Sequence, residues 1–499
     1  MRPSHHQDRI LWPHSAALVL LLLALCIVSS ACSLAPAYER PNVTMPATLD
    51  GRHVAPDEAN RNARVDTVTL SAEEARFLTA FAPEGEATRI VTTVLAANPD
   101  IRSTASQVAE ARASAAAQRS SLFPQLSATL QRDKVQLDDP NAAALLGRDF
   151  KSATADFRYE PDFFGRLRSL SDAASHEYLS SEAAHKEARG ALIAEVLAAY
   201  VDERAAAEVA VKLVYADEAA EALVDNARKQ QIMGTLSVDE LQERRDQAAR
   251  VHISRVDAQR QHDEAMRYLQ SLAGYSLAEP AVELARIGRT DPEVNVLASL
   301  PSQVLLERPD VVRAEERLRA ANANIGAARA AFFPSIQLSS SIGHVSSDLD
   351  HLFSSNTSGW TFLPQLSLPL FDGGARRANL DLATARKNTA IAAYESTVQR
   401  AFRDVADALG GRETATTRMN RLGEMCRTDH VRLEKAFARH RQGLEDPARM
   451  LVRTIDAAQV QIDCLSAQRD QALNRLAVFR AFYGVALPSA TIASAGPSQ

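Results

Sequence analysis

Four cysteines carry the most reactive side chains of this 499-residue chain, and their surroundings assign them different fates. Arg2, Arg9 and three histidines precede an apolar run, Ala16 to Val28, that holds Cys26. The run is too short to span a bilayer and has the form of a secretory h-region. It ends Ser29-Ser30-Ala31-Cys32. A small residue directly before a cysteine just past such a run looks like the acylation box of a bacterial lipoprotein. There the thiol takes up diacylglycerol, residues 1–31 are removed as a signal peptide, and Cys32 becomes residue one. Ser29 stands where such boxes usually carry Leu, so a plain signal peptide with an incidental cysteine is the competing reading. Each buried methylene contributes about 0.8 kcal/mol, so a triacylated terminus is a firm anchor. Ser33, rather than Asp, directs it to the outer membrane by analogy with lipoprotein sorting. The other two cysteines flank a glycine: Cys426 lies 17 residues before Gly443 and Cys464 lies 21 residues after it. If Gly443 turns an antiparallel hairpin, both sit at one height, and the oxidising periplasm permits a disulfide when the Cα atoms come within about 7 Å. Two buried free thiols acting as small apolar residues are the alternative.

No catalytic constellation accompanies them. There is no His-Glu-x-x-His, P-loop, Gly-x-Ser-x-Gly, Gly-x-Gly-x-x-Gly or Cys-x-x-Cys. His344 and His351 fall in a polar stretch and read as solvated loop residues. A net charge of −6, without a basic patch interleaved with aromatics, argues against nucleic acid as a partner. The expectation is a protein that is not an enzyme, with no metal and no cofactor beyond covalent lipid.

The elements that would position these residues come in two copies. Pro99 and Pro124 are 25 residues apart, as are Pro309 and Pro334, and the copies are offset by 210 residues. Gly234 matches Gly443 and Gly274 matches Gly484 at nearly the same offset. A period this long marks two equivalent halves rather than a solenoid. In the second half Val311, Ala314, Leu318, Ala321, Ile325 and Ala328 recur at steps of 3 and 4, the seam of a helix packed along another. Its counterpart reads as one helix from Ala87 to Ser121. After each second proline the period becomes two. Leu126, Ala128, Leu130, Ala153, Ala155, Phe157 and Tyr159 form one apolar set; Ile336, Leu338, Trp360, Phe362, Leu366, Leu368 and Leu370 form the other. Such strands fit a soluble sandwich, with the polar face outward, or a membrane barrel, with the polar face toward the lumen and Phe157, Tyr159, Trp360, Phe362, Leu366 and Leu368 toward lipid.

Each half then continues into very long helices. From Gly165 to Gly234 there is no proline and no glycine except Gly190, enough for about 100 Å of helix, and a shorter helix returns from about Val238. The second half repeats this from Gly374, past a weak point at Gly410-Gly411, to Gly443, and returns from about Pro447. The resulting division is a signal peptide (1–31), a lipidated extended segment (32–86), a first repeat (87–274), an inter-repeat equatorial segment (275–299), a second repeat (300–484) and a tail (485–499). Four strands per chain cannot close a barrel, whereas three chains would supply twelve.

Cys-Ser-Leu-Ala-Pro-x-Tyr-x-Arg-Pro at Cys32 to Pro41, the Glu307 to Pro334 segment, Tyr159-Glu160-Pro161-Asp162-Phe163-Phe164-Gly165-Arg166 and Pro369-Leu370-Phe371-Asp372-Gly373-Gly374 closely resemble the outer-membrane factor lipoproteins of tripartite (RND-type) efflux systems, NodT type, OprM/TolC-like. The resemblance covers nearly the whole mature chain. It implies a mainly α fold with a small membrane β part: a homotrimer whose twelve-stranded outer-membrane β-barrel, four strands per chain, continues into a long periplasmic α-helical barrel. It implies docking on a periplasmic membrane fusion protein and an inner-membrane transporter, contact with outer-membrane lipid, and export of small toxic or drug-like compounds. Gly234, Thr235, Leu236, Gly443 and Leu444 would form the periplasmic tip, with an exposed leucine in each turn. The family closes its tip with an aspartate ring about nine residues past the second glycine. Here that region holds Val452 and Arg453, and the next carboxylate is Asp456, so either Arg453 or a displaced Asp456 would be the gate. The same duct serving type I protein secretion, and a periplasmic coiled-coil scaffold lipoprotein without a pore, are the rival readings.

Overall fold

A computed structural model describes residues 35–41, 68–82, 85–135, 148–273, 277, 280–288, 297, 300–347 and 350–485. The signal peptide, Cys32, Gly274, most of the inter-repeat segment and nearly all of the tail lie outside the described residues. Backbone contacts divide the chain into two units, 1–45 and 46–499. In the first, residues 35–41 are irregular and exposed.

In the second unit the described helices are α1 (Ala72–Phe81), α2 (Glu86–Ala97), α3 (Pro99–Ser120), α4 (Arg166–Ile232), α5 (Val238–Leu272), α6 (Pro309–Ala330), α7 (Ala375–Arg441) and α8 (Pro447–Phe482). Strands β1 (Gln125–Val135), β2 (Arg148–Tyr159), β3 (Ser335–Ser346) and β4 (Ser358–Ser367) form one antiparallel sheet in that order. The repeat is plain: α3-β1-β2-α4-α5 is answered by α6-β3-β4-α7-α8, and the β2–β3 pairing joins the halves. α4 and α7 each run 67 residues, about 100 Å at 1.5 Å per residue. α7 passes through Gly410-Gly411 unbroken, because the flanking turns supply every backbone partner that two flexible residues need.

Three boundaries differ from the sequence reading. The helix read as Ala87 to Ser121 is two helices. Pro99 has no N–H to continue a ladder, and Asn98, with ψ 124°, caps the second helix by accepting from Asp100 N and Ile101 N at 2.9 and 3.2 Å. The segment 32–86, read as extended, ends in α1, which a Ser71/Glu74 capping box nucleates and whose Leu78 and Phe81 are buried. Leu368 and Leu370, read as strand residues, lie one and three positions beyond β4. The register pairs Ser335 with Ser367, so the next pair would be Pro334 with Leu368, and proline has no N–H to donate.

Among the described residues the larger buried cluster sits part-way along the helices, where α1 and α2 pack against α4 and α8. Leu78, Phe81, Val91, Val94, Leu197, Tyr200, Leu269 and Leu476 are buried in it, and Phe77 stacks on Phe479 at 4.0 Å.

Candidate functional site

The sheet register sorts side chains into rows. Directly paired residues share a face, so Leu126, Phe157, Ser340 and Phe362 form one row and Ala128, Ala155, Ile342 and Trp360 the next. Leu130, Ala153 and His344 lie beyond these, and Tyr159, Leu338 and Pro364, then Ile336 and Leu366, lie on the helix side. The opposite face carries Ser127, Asp156, Ser341 and Thr361 in one row and Gln337 with Gln365 in another, with Phe150, Val345 and Leu363 as apolar exceptions. On that face Thr129 Oγ1 donates to Asp156 Oδ2 at 2.6 Å. The five apolar rows span roughly 25 Å along the strands, the height of a membrane band. A charged rim of Arg132, Asp149, Lys151 and Lys134 ends the band on one side, with Arg132 Nη2 3.0 Å from Asp149 Oδ2. Exposed Phe163, Phe164, Phe333 and Phe371 gather at the other. Leu126, Leu130, Phe157, Ile342, Trp360, Phe362 and Leu366 are all exposed, and no described element covers them. A sandwich would bury this face.

His344, read as a loop residue, sits inside β3, because backbone pairing with β2 carries the strand to Ser346 through its serines. Its Nδ1 lies 3.1 Å from Thr357 Oγ1. His351 is exposed in the following turn.

Two aspartates, 210 residues apart, turn strand into helix. Asp162 Oδ2 accepts from Arg168 N at 2.8 Å at the start of α4; Asp372 accepts from Gly374 N and Arg376 N, each at 3.1 Å, at the start of α7. Burial pushes the Asp162 carboxyl up, but the N–H groups of the first turn outweigh it and hold it below the usual carboxylate range. The Arg376 side chain, aided by backbone N–H groups, lowers Asp372 likewise.

At the far ends both hairpins close in the same way. Thr235 N donates to Gln230 O and Leu444 N to Arg439 O, each at 2.9 Å, with Gly234 and Gly443 left-handed at φ 73° and 71°. This is the six-to-one bond of a Schellman turn, in which glycine meets no Cβ penalty. Ser237 with Glu240, and Asp446 with Pro447 at the first helical position, then start the returning helices. The leucines differ: Leu444 directly follows its glycine and is exposed, whereas Leu236 lies two residues past its own and is half-buried. The first tip instead exposes Ile232, Met233 and Val238. Arg453 and Asp456 are both exposed and three residues apart, on one face of α8. Cys426 and Cys464 come together across α7 and α8 with their Cα atoms 6.7 Å apart and their sulfurs in bonding contact.

The family model described as "Outer membrane efflux protein" matches residues 90–275 and 300–481, one match on each structural half. The chain belongs to the outer membrane efflux protein family. Similarity to individual efflux proteins runs nearly end to end. The chain is 34% identical over 471 residues to outer membrane protein OprJ of Pseudomonas aeruginosa, covering 93% of this chain and 95% of that one. It is 33% identical over 473 residues to the toluene efflux pump outer membrane protein TtgF of Pseudomonas putida, covering 93% and 96%. The open state of the Neisseria gonorrhoeae MtrE outer membrane channel superposes with a TM-score of 0.68 at 29% identity, over 90% of this chain and 98% of that one. This efflux protein is therefore an outer-membrane channel component that extends into the periplasm.

One group of the efflux protein left little trace in the sequence. Glu74 on α1 accepts from Arg189 Nε on α4 at 2.8 Å and from the Tyr483 hydroxyl at 2.8 Å; Glu86 on α2 accepts from the Tyr200 hydroxyl at 2.6 Å and from Ala281 N at 2.9 Å. These contacts span 114 to 409 residues of chain, so no local periodicity announces them. The only hint was Gly190, whose missing side chain makes room for the Tyr483 ring.

Proposed function

We propose that this chain is one third of a trimeric exit duct that carries small toxic or drug-like compounds across the outer membrane of a Gram-negative cell. The observation that carries the reading is the sheet: four strands with one uncovered apolar face and two unpaired edges, β1 and β4. In lipid each unpaired backbone group costs several kcal/mol, and joining β4 of one copy to β1 of the next three times removes every edge in a twelve-stranded barrel. The polar rows then line the lumen, and the long helices continue the passage into the periplasm. The printed name of TtgF, a toluene efflux protein, supports a small apolar cargo. Nothing in the chain supplies energy in this reading; an inner-membrane transporter does so, through a membrane fusion protein seated on the tips. Either the Arg453 or the Asp456 ring closes the passage, and lipid on Cys32 adds an anchor to the barrel.

The purified protein, reconstituted in a planar bilayer after its mass in detergent is measured, tests the duct. A trimer with discrete conductance steps is expected; a monomer without conductance overturns it. Palmitate labelling of wild type and Cys32→Ala tests the anchor. Label in wild type alone is expected, with Cys32→Ala still trimeric but less efficiently localised.

A further inference from the structure

The cysteine pair has an exact-height counterpart in the other half of the chain. Asp217 stands 17 residues before Gly234 and Arg255 stands 21 after it, the same spacings that place Cys426 and Cys464 about Gly443. Both pairs are 38 residues apart in sequence. Both bridge the two helices of a hairpin about 25 Å from its turn. Asp217 is 7% exposed, and its Oδ2 accepts from Arg255 Nε at 2.7 Å and lies 3.1 Å from His252 Nδ1. Asp217, Glu221 and His252 also place ligand atoms within 4.8 Å of one another, but the Arg255 guanidinium already balances Asp217, so the cluster reads as a helix brace rather than a cation site.

We propose that the two periplasmic hairpins are braced at one height by different chemistries, a half-buried ion pair across α4–α5 and a disulfide across α7–α8, so that only the second brace answers to redox state. The bond forms by exchange with a disulfide-bearing oxidoreductase of the periplasm. The Cys426 thiolate attacks one sulfur of the oxidant's disulfide and expels the other; the Cys464 thiolate then attacks the Cys426 sulfur and releases the oxidant as a dithiol. Two electrons and two protons pass from the protein thiols to the oxidant. The ion pair can break and reform as its hairpin bends, whereas the disulfide holds α7 and α8 in fixed register. The part of α8 that carries Arg453 and Asp456 lies between this brace and the turn. The consequence for opening therefore rests on the duct reading, while the brace itself does not.

The test uses the full-length protein in detergent and needs no conductance. Thiol labelling after denaturation without reductant, mapped by peptide, should leave Cys426 and Cys464 unlabelled; label on both overturns the proposal. Hydrogen exchange should then show that reductant speeds exchange across residues 427–463 by roughly tenfold or more, leaving 218–254 unchanged, and that Asp217→Asn does the reverse. Equal responses in both hairpins, or no response in either, overturn the division of chemistry. Finally, the double variant Asp217→Cys with Arg255→Cys should cross-link on oxidation without distorting the fold. Two persistent free thiols at those positions would show that the two sites are not equivalent.

Discussion

Gly190 is the residue at which a single carbon atom decides the packing of the equatorial core. A Cβ at this position would lie 2.3 Å from Tyr483 Cδ1, and the Tyr483 hydroxyl anchors Glu74. Gly190→Ala should displace the ring and lower stability by about 1–3 kcal/mol, read as a lower Tm of the assembled protein. Glu74 itself gives a pH signature. Burial raises its affinity for a proton, but the Arg189 side chain, the Ser71 N–H and the Tyr483 hydroxyl together outweigh burial and hold the carboxyl below its ordinary value of 4.5. A carboxyl depressed in the folded state contributes stability above its unfolded pKa, and that contribution is lost as pH falls through the folded value. The Tm difference between wild type and Glu74→Gln should thus be constant above pH 5 or so and shrink below about 4. A difference that widens on acidification would contradict this account of the network.

At the scale of the element, the sheet makes the sharpest demand. Leu366 and Ser367 are neighbours on β4 but face opposite ways, Leu366 paired with Ile336 on the apolar face and Ser367 with Ser335 on the polar one. Leu366→Arg, in the helix-side row of the band, should cost assembly up to about 1 kcal/mol, against about 2–4 kcal/mol for the same change at the bilayer midplane. Ser367→Arg should assemble as wild type, with the fraction migrating as trimer on a non-denaturing gel as the readout. Equal loss at both positions would mean that the faces have been assigned wrongly. The two long helices make a weaker demand, since each is closed at both ends by residues close to it in sequence. Asp162 and Asp372 begin α4 and α7, and Schellman turns end them.

For the whole molecule, the proposed function makes conduction and docking separable. The exposed Ile232, Met233 and Val238 at one tip and Leu444 at the other lie far along the hairpins from the strands. Ile232→Asp combined with Leu444→Asp should therefore leave trimer formation and bilayer conductance intact. In the proposed reading, where the tips seat a membrane fusion protein, cells relying on this duct should nevertheless lose tolerance to its cargo. Loss of conductance in the purified variant would place these residues in the assembly of the duct rather than in its docking.

The 210-residue repeat, the turn glycines, the helix lengths and the alternation of the strands could all be read along the chain, because each is a local periodicity or a local backbone requirement. Gly234 and Gly443 needed only φ above zero, and α4 and α7 only an absence of breakers. The resemblance to outer-membrane efflux proteins rested on short motifs, such as those at Asp162 and Asp372, whose capping role lies within six residues of chain. Other features depend on partners far away in sequence. The alignment of apolar rows across β2 and β3 joins residues nearly 190 apart; β3 extends through its serines because β2 offers a ladder there. Burial of α1 depends on Tyr483, 409 residues from Glu74. The match between Asp217–Arg255 and Cys426–Cys464 was present in the spacing all along, but an acid and a base 38 residues apart mean nothing until two helices bring them to 2.7 Å. Sequence pattern fixes which face an element presents; only packing decides what that face meets, because contact energy is set by neighbours the local chain does not contain.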